Sequence, residues 1–160
     1  MNNRIAVFPG TFDPITIGHY DIIIKSLNLF DKIIIAIGNN SEKNNMFSIQ
    51  KRKEWIKKTF FQFPKIEIEL FKGLTISFCK KRKAQFVLRG IRNQLDFEFE
   101  KNIYYANKEL YKNNFIETIF ILSSYDKSYI SSCMVRDIIK NGGNYTVFVP
   151  KYVRINKKFF

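Results

Sequence analysis

Apolar and polar positions along the chain fall into short blocks that alternate between strand and helix periodicity. Arg4–Phe8 reads as a buried strand, followed by a Pro-Gly loop and a helix near His19–Phe30. Lys32–Gly38, four isoleucines around one alanine, is the clearest strand, and a polar loop, Asn39–Asn45, follows it. Ser48 is placed to cap a helix running to Phe61, and Lys65–Phe71 alternates apolar with charged residues as a half-exposed strand does. The same reading predicts a helix at Leu74–Arg82, a strand at Gln85–Leu88 and a long helix from Asp96 to Tyr111. A strand at Thr118–Leu122 and a helix at Ser131–Asn141, ended by Gly142-Gly143, complete the pattern before a tail after Pro150. Five strand–helix units in succession predict an α/β fold: an open, Rossmann-like parallel sheet with helices on both faces. No internal repeat or linker interrupts it, so residues 1–160 are expected to form one domain.

Composition changes this picture little. The chain has 160 residues and 46% hydrophobic content, enough for a real core. No apolar run approaches the ~18 residues of a membrane span, and the N-terminal apolar stretch is too short for a signal peptide. Cys79 and Cys133 are the only cysteines, so neither a disulfide framework nor a cysteine-based zinc site is indicated and a cytoplasmic location is expected. The net charge of +13 invites a nucleic-acid reading. However, the basic residues are mostly lysine, they are scattered, and they accompany an enrichment in Ile, Phe and Asn, which is the mark of a chain-wide bias. A field of this sign still favours anionic ligands in a cleft.

Three motifs carry candidate chemistry. Pro9-Gly10-Thr11-Phe12-Asp13-Pro14-Ile15-Thr16-Ile17-Gly18-His19 joins the first strand to the first helix. Its glycines allow close backbone approach, and the helix start offers free N–H groups to phosphate. It matches neither a Walker loop nor the dinucleotide fingerprint. His19 is the chain's single histidine. Arg89-Gly90-Ile91-Arg92, expected directly after the fourth strand, sets two arginines three apart to clamp phosphates. Of the acidic residues behind it, Asp96 and Glu98 read as helix-start carboxylates, and Glu100 as a ligand. Ser128-Tyr129-Ile130-Ser131-Ser132-Cys133-Met134-Val135-Arg136, after the fifth strand, offers hydroxyls and helix-start amides. Each motif alone reads as ordinary turn and cap chemistry. All three follow strands, however, and in a sheet of order 3-2-1-4-5 they converge where the strand order reverses.

In these residues the chain resembles the bacterial phosphopantetheine adenylyltransferase family of the nucleotidylyltransferase superfamily. The superfamily tetrad is Thr16-Ile17-Gly18-His19, and the Arg89–Glu100 block is the more specific match. The resemblance implies reversible transfer of AMP from ATP to 4′-phosphopantetheine by direct attack, with Mg²⁺ held by ATP phosphates and by no protein side chain. It implies that His19 stabilises the transition state and that Thr11 orients the reacting phosphates. Thr11, Lys43, Thr75 and Arg89 match positions that hold phosphopantetheine. Thr11, Phe12, His19, Gly90, Ile91, Arg92, Glu100, Lys127, Ser128, Tyr129, Ile130, Ser131, Ser132 and Cys133 match positions that contact ATP. A homohexamer is implied too, without nucleic acid or membrane partners. The chain departs from the family pattern at Lys43-Asn44-Asn45, Thr75, Phe99, Lys127 and Cys133, and none of these touches Thr11, His19, Arg89 or Arg92. Two other readings stand beside this one: a different nucleotidylyltransferase, such as one acting on nicotinamide mononucleotide, and a basic nucleic-acid-binding protein.

Overall fold

In a computed structural model that describes residues 3–39, 44–112 and 116–155, five parallel strands form one sheet of order β3-β2-β1-β4-β5. The strands are β1 (Ile5–Gly10), β2 (Lys32–Gly38), β3 (Ile66–Phe71), β4 (Phe86–Ile91) and β5 (Glu117–Leu122). Between and after them run α1 (Ile17–Ser26), α2 (Ile49–Phe60), α3 (Thr75–Lys81), α4 (Gln94–Leu110) and α5 (Ser132–Lys140). The expected order and the Rossmann-like architecture are both observed.

β2 shows why the sheet is covered on both faces. Its side chains alternate, and five consecutive residues, Ile33 to Ile37, have no solvent exposure. Ile33, Ile35 and Ile37 join Ala6, Phe8, Trp55, Ile56, Leu88 and Val135 in the larger core, under α1, α2 and α5. Ile34 and Ala36 join Val7, Val87, Ile76 and Cys79 in the smaller one, under α3. β3 lies at the sheet edge, and its alternate glutamates are neutralised there: Glu67 by Lys32 and Arg82, and Glu69 by Arg82. No described helix is long and apolar enough to cross a membrane.

Two boundaries differ by three or more residues from the sequence expectation. α1 ends at Ser26, four residues short of Phe30. The Ser26 hydroxyl donates to the Ile22 carbonyl at 2.7 Å, and the chain then turns so that Phe30 enters the core. β4 continues past Leu88 through Arg89, Gly90 and Ile91, which pair with Phe120, Ile121 and Leu122 of β5. The first arginine of the presumed post-strand motif therefore stands on the strand itself, as does Gly90. A Cβ at Gly90 would come within 2.8 Å of Ile22, so only glycine lets α1 pack there.

Candidate active site

The loops after β1, β4 and β5 open onto one cleft of about 420 Å³ at the carboxyl edge of the sheet. It lies at the β1/β4 junction, where the strand order reverses. A second cleft of about 390 Å³ adjoins it, lined by Thr11, Asn39, Asn45, Lys72 and Thr75 among others. Pro9, Gly10 and Arg89 line both.

The β1–α1 loop is built rigidly. Phe12 takes a left-handed φ of 50°, a conformation that costs a bulky residue free energy and persists where packing over-determines it. Its buried ring packs edge-on to Phe8 (5.7 Å) and His19 (5.2 Å). A Cβ at Gly10 would come within 2.8 Å of that ring, so the packing of Phe12 itself requires glycine there. The buried Asp13 carboxylate accepts the backbone N–H groups of Met46 (2.8 Å) and Phe47 (2.9 Å). Arg52 donates to the carbonyls of Thr11 and Phe47, tying the loop to the start of α2.

His19 closes a capping box at the start of α1. Thr16 Oγ1 accepts the His19 N–H, and in return Nδ1 of His19 accepts the Thr16 backbone N–H at 3.1 Å. The Thr16 hydroxyl lies 2.9 Å from the same nitrogen. Because Nδ1 accepts, the neutral ring carries its hydrogen on Nε2, and no bond from Nε2 to another described residue is formed. Burial, assisted by the charge of Arg92, pushes the His19 pKa down from 6.5 to about 4. Between those values an unfolded chain binds a proton that the folded chain refuses, so this contribution to stability is present above pH 6.5 and is lost as pH falls toward 4. The stability of the wild type relative to His19→Gln should therefore decline between pH 7 and pH 4.5 in parallel urea titrations. A difference independent of pH would contradict the assignment.

Arg89 holds the junction of the two clefts. Its Nε lies 3.1 Å from Glu100 Oε2, and Nη1 donates to the Pro9 carbonyl at 3.2 Å. Burial pulls the Arg89 pKa down from its usual value, against the pull of Glu100, and raises that of Glu100, against the pull of Arg89. Arg92 is gripped by Asp96 through bonds of 2.8 and 3.0 Å, which raise the Arg92 pKa and hold that carboxyl below its ordinary range. Asn93, not Asp96, is the side chain that caps α4.

At α5, Ser131 is the N-cap, accepting the Met134 N–H, and the Ser132 hydroxyl donates to the Pro14 carbonyl at 2.8 Å. Both hydroxyls thus hold structure together, and the first amides of α5 remain for a ligand.

Phe12, His19, Gly90, Arg92, Glu100, Ile130, Ser131, Ser132 and Cys133 line the first cleft, and Thr11 and Thr75 line the second. Ile91 is buried and is not among the residues lining either cleft. Lys127, Ser128 and Tyr129 lie on or just after a 3₁₀ turn at Tyr125–Lys127 and are not among the lining residues; Lys127 pairs with Asp126 at 2.7 Å. Lys43 lies outside the described residues. Sequence reasoning assigned no site role to Lys72, Asn45, Asp96 or Arg136, all of which line a cleft. Arg136, the last residue of the third motif, was the one legible signal among them.

A Rossmann-like sheet with an anion-friendly cleft at its switch point is the architecture of nucleotidyltransferases, and the cytidylyltransferase-like family model matches residues 7–138. A solved structure from Vibrio parahaemolyticus, provisionally described as a nicotinate-nucleotide adenylyltransferase, aligns with TM-score 0.67 over 94% of this chain and 96% of its own. At 17% identity it speaks for the fold alone. The phosphopantetheine adenylyltransferase of Flavobacterium psychrophilum is 55% identical over 152 residues, covering 95% of this chain and 99% of that one. The enzyme of Flavobacterium johnsoniae is 52% identical over 154 residues, covering 96% and 99%. The chain belongs to the phosphopantetheine adenylyltransferase family.

Proposed function

We propose that this chain transfers AMP from ATP to 4′-phosphopantetheine, releasing pyrophosphate and forming dephospho-coenzyme A. The observation that carries the reading is the pair of adjoining clefts that share Pro9, Gly10 and Arg89. Two phosphorylated substrates seated in them would bring their phosphates together at one guanidinium. A phosphate oxygen of phosphopantetheine attacks the ATP α-phosphorus; the new P–O bond forms as the bond to the β-phosphate bridging oxygen breaks, and pyrophosphate leaves. Such a step needs positioning and stabilisation of developing charge more than covalent help from the protein.

In this reading the first cleft takes ATP. Neutral His19 donates from Nε2 to the α-phosphate, and Arg89 and Thr11 orient the reacting groups. Arg92, Glu100 and the α5 amides hold the nucleotide. The roles of Gly90, Ile130, Ser131, Ser132 and Cys133 are those of cleft wall, and Thr75 with Lys43 belongs to the pantetheine side. Among the described residues no three His, Cys, Asp or Glu side chains form a metal cluster, and Asp96 and Glu100 are each held by an arginine. Mg²⁺ would enter on the phosphates of ATP and neutralise their charge there.

A homohexamer is part of the same proposal. Residues Leu95, Phe99 and Leu110 of α4 are 80%, 65% and 70% exposed, and none of the helix's residues is buried, an apolar surface that another copy would cover. Light scattering should give about six times the 19.0 kDa chain mass, and a monomer at micromolar concentration would contradict it.

The substrate assignment is tested by pyrophosphate release from ATP with either phosphopantetheine or nicotinamide mononucleotide as acceptor. Turnover is expected with the first alone; release with the nicotinamide compound instead would replace the proposal.

A further inference from the structure

Two charged side chains, Asp13 and Arg52, are almost wholly buried, at 3% and 2% exposure, and neither lines a cleft. Rather than pairing with each other, they form a crossed tie between two segments. Asp13, in the β1–α1 loop, accepts the backbone N–H groups of Met46 and Phe47 at the approach to α2. Arg52, on α2, reaches back: Nη1 donates to the Thr11 carbonyl and Nε to the Phe47 carbonyl at 3.1 Å. Phe47, packed on Trp55 with ring centroids 4.9 Å apart, stands between the two ties. Burying a guanidinium among carbonyls carries a desolvation cost that an apolar side chain of similar length avoids. Burial accordingly pulls the Arg52 pKa below its usual value, and the nearby Asp13 charge offsets only part of this.

The bond with a consequence for the chemistry is the one to Thr11. Its acceptor belongs to the Thr11–Phe12 peptide, and Phe12 holds the left-handed φ of 50°, which a bulky residue keeps only where its surroundings over-determine it. Phe8 and His19 fix the Phe12 ring, and Arg52 fixes the peptide on its N-terminal side. The orientation of that peptide sets how Thr11 presents its side chain to the second cleft, which it lines. On the reading that Thr11 orients the reacting phosphates, we propose that Arg52 is a positioning residue for adenylyl transfer: it holds the Thr11–Phe12 peptide, and through it the Thr11 hydroxyl, where the reaction uses it. Asp13 closes the same tie from the other side, so the loop cannot shift independently of α2. Arg52 lines neither cleft, so its effect passes through Thr11.

The test is a double-variant cycle in the full chain, read as kcat for pyrophosphate release from ATP with phosphopantetheine. Arg52→Met should lower kcat about 10- to 100-fold, the scale of a displacement of about 1 Å at a reacting group. Thr11→Ala should lower it at least as much. Adding Arg52→Met to Thr11→Ala should then cost less than about threefold more, because the residue it acts through is gone. Losses that multiply would overturn the inference, and so would near-wild-type turnover in either single variant. Arg52→Lys keeps the charge and a donor for one carbonyl, so it should regain part of kcat; it also carries the cycle if Arg52→Met does not fold. Ile56→Val, buried in the same helix, should lower the melting temperature and leave kcat unchanged. A kcat that merely tracks melting temperature across these variants would reduce Arg52 to a structural tie and overturn the proposal. A crystal structure of the Arg52 variant needs no substrate, and it should show the Thr11–Phe12 peptide turned and Phe12 out of its left-handed φ. If that is seen while the wild type turns over no phosphopantetheine, the substrate reading fails and the tie to Thr11 stands. An unmoved peptide overturns the inference whichever substrate the clefts take.

Discussion

Replacing His19 with alanine lowers kcat for adenylyl transfer by roughly 10²–10³-fold, the loss that accompanies removal of one preorganised donor. The expectation follows from how the ring is held. Thr16 engages Nδ1 with its backbone N–H, and Phe12 packs edge-on at 5.2 Å. Neither contact consumes Nε2, so the ring is positioned to donate without rearrangement. The fold should survive, because the variant loses half of a capping box, worth about 1 kcal/mol, while the Thr16 hydroxyl still accepts at the start of α1. Activity within a few-fold of wild type in folded His19→Ala would remove His19 from the chemistry.

Arg89→Met has the other large effect, and it acts on both stability and turnover. Glu100 would be left without its partner in a pair whose side chains are only 22% and 16% exposed. Breaking a fully buried pair costs about 3–5 kcal/mol; with this residual exposure about 2–3 kcal/mol is expected. Turnover should fall by at least ~10²-fold, because one guanidinium serves both clefts. Stability and catalysis separate in the double variant: Arg89→Met with Glu100→Gln removes the stranded charge and should regain most of the melting temperature, yet none of the activity. Near-wild-type turnover in the double variant would show that Arg89 matters only as a partner for Glu100.

These two residues also mark what the sequence discloses. His19 was readable because its signals are local: a glycine-rich loop, a Thr three residues earlier and a helix start. The strand order was readable for a similar reason, since β2 is apolar on both faces and the strand–helix alternation allows few parallel arrangements. The limits of β4 were not, because Arg-Gly within a short strand reads as a turn. Only the ladder to β5 and the Ile22 side chain packed over Gly90 make it a strand. Asp13-Pro14 likewise reads as a turn, yet its carboxylate binds amides 33 and 34 residues away. The bond from Arg136 to the Asp13 carbonyl is long-range too, and the Arg89–Glu100 pair joins a strand to the following helix, so no spacing rule predicts either. Pairs such as Lys32–Glu67 and Lys58–Glu54 neutralise part of the surface, but the +13 excess remains, and the cations facing the clefts are few.

The central claim is that the two clefts bring ATP and 4′-phosphopantetheine together for direct adenylyl transfer. Mass spectrometry of a reaction containing the purified chain, both substrates and Mg²⁺ tests it most directly. Dephospho-coenzyme A should accumulate in step with pyrophosphate, one for one, and fail to do so with His19→Ala. Folded wild-type chain that binds ATP but forms no dephospho-coenzyme A would contradict the account.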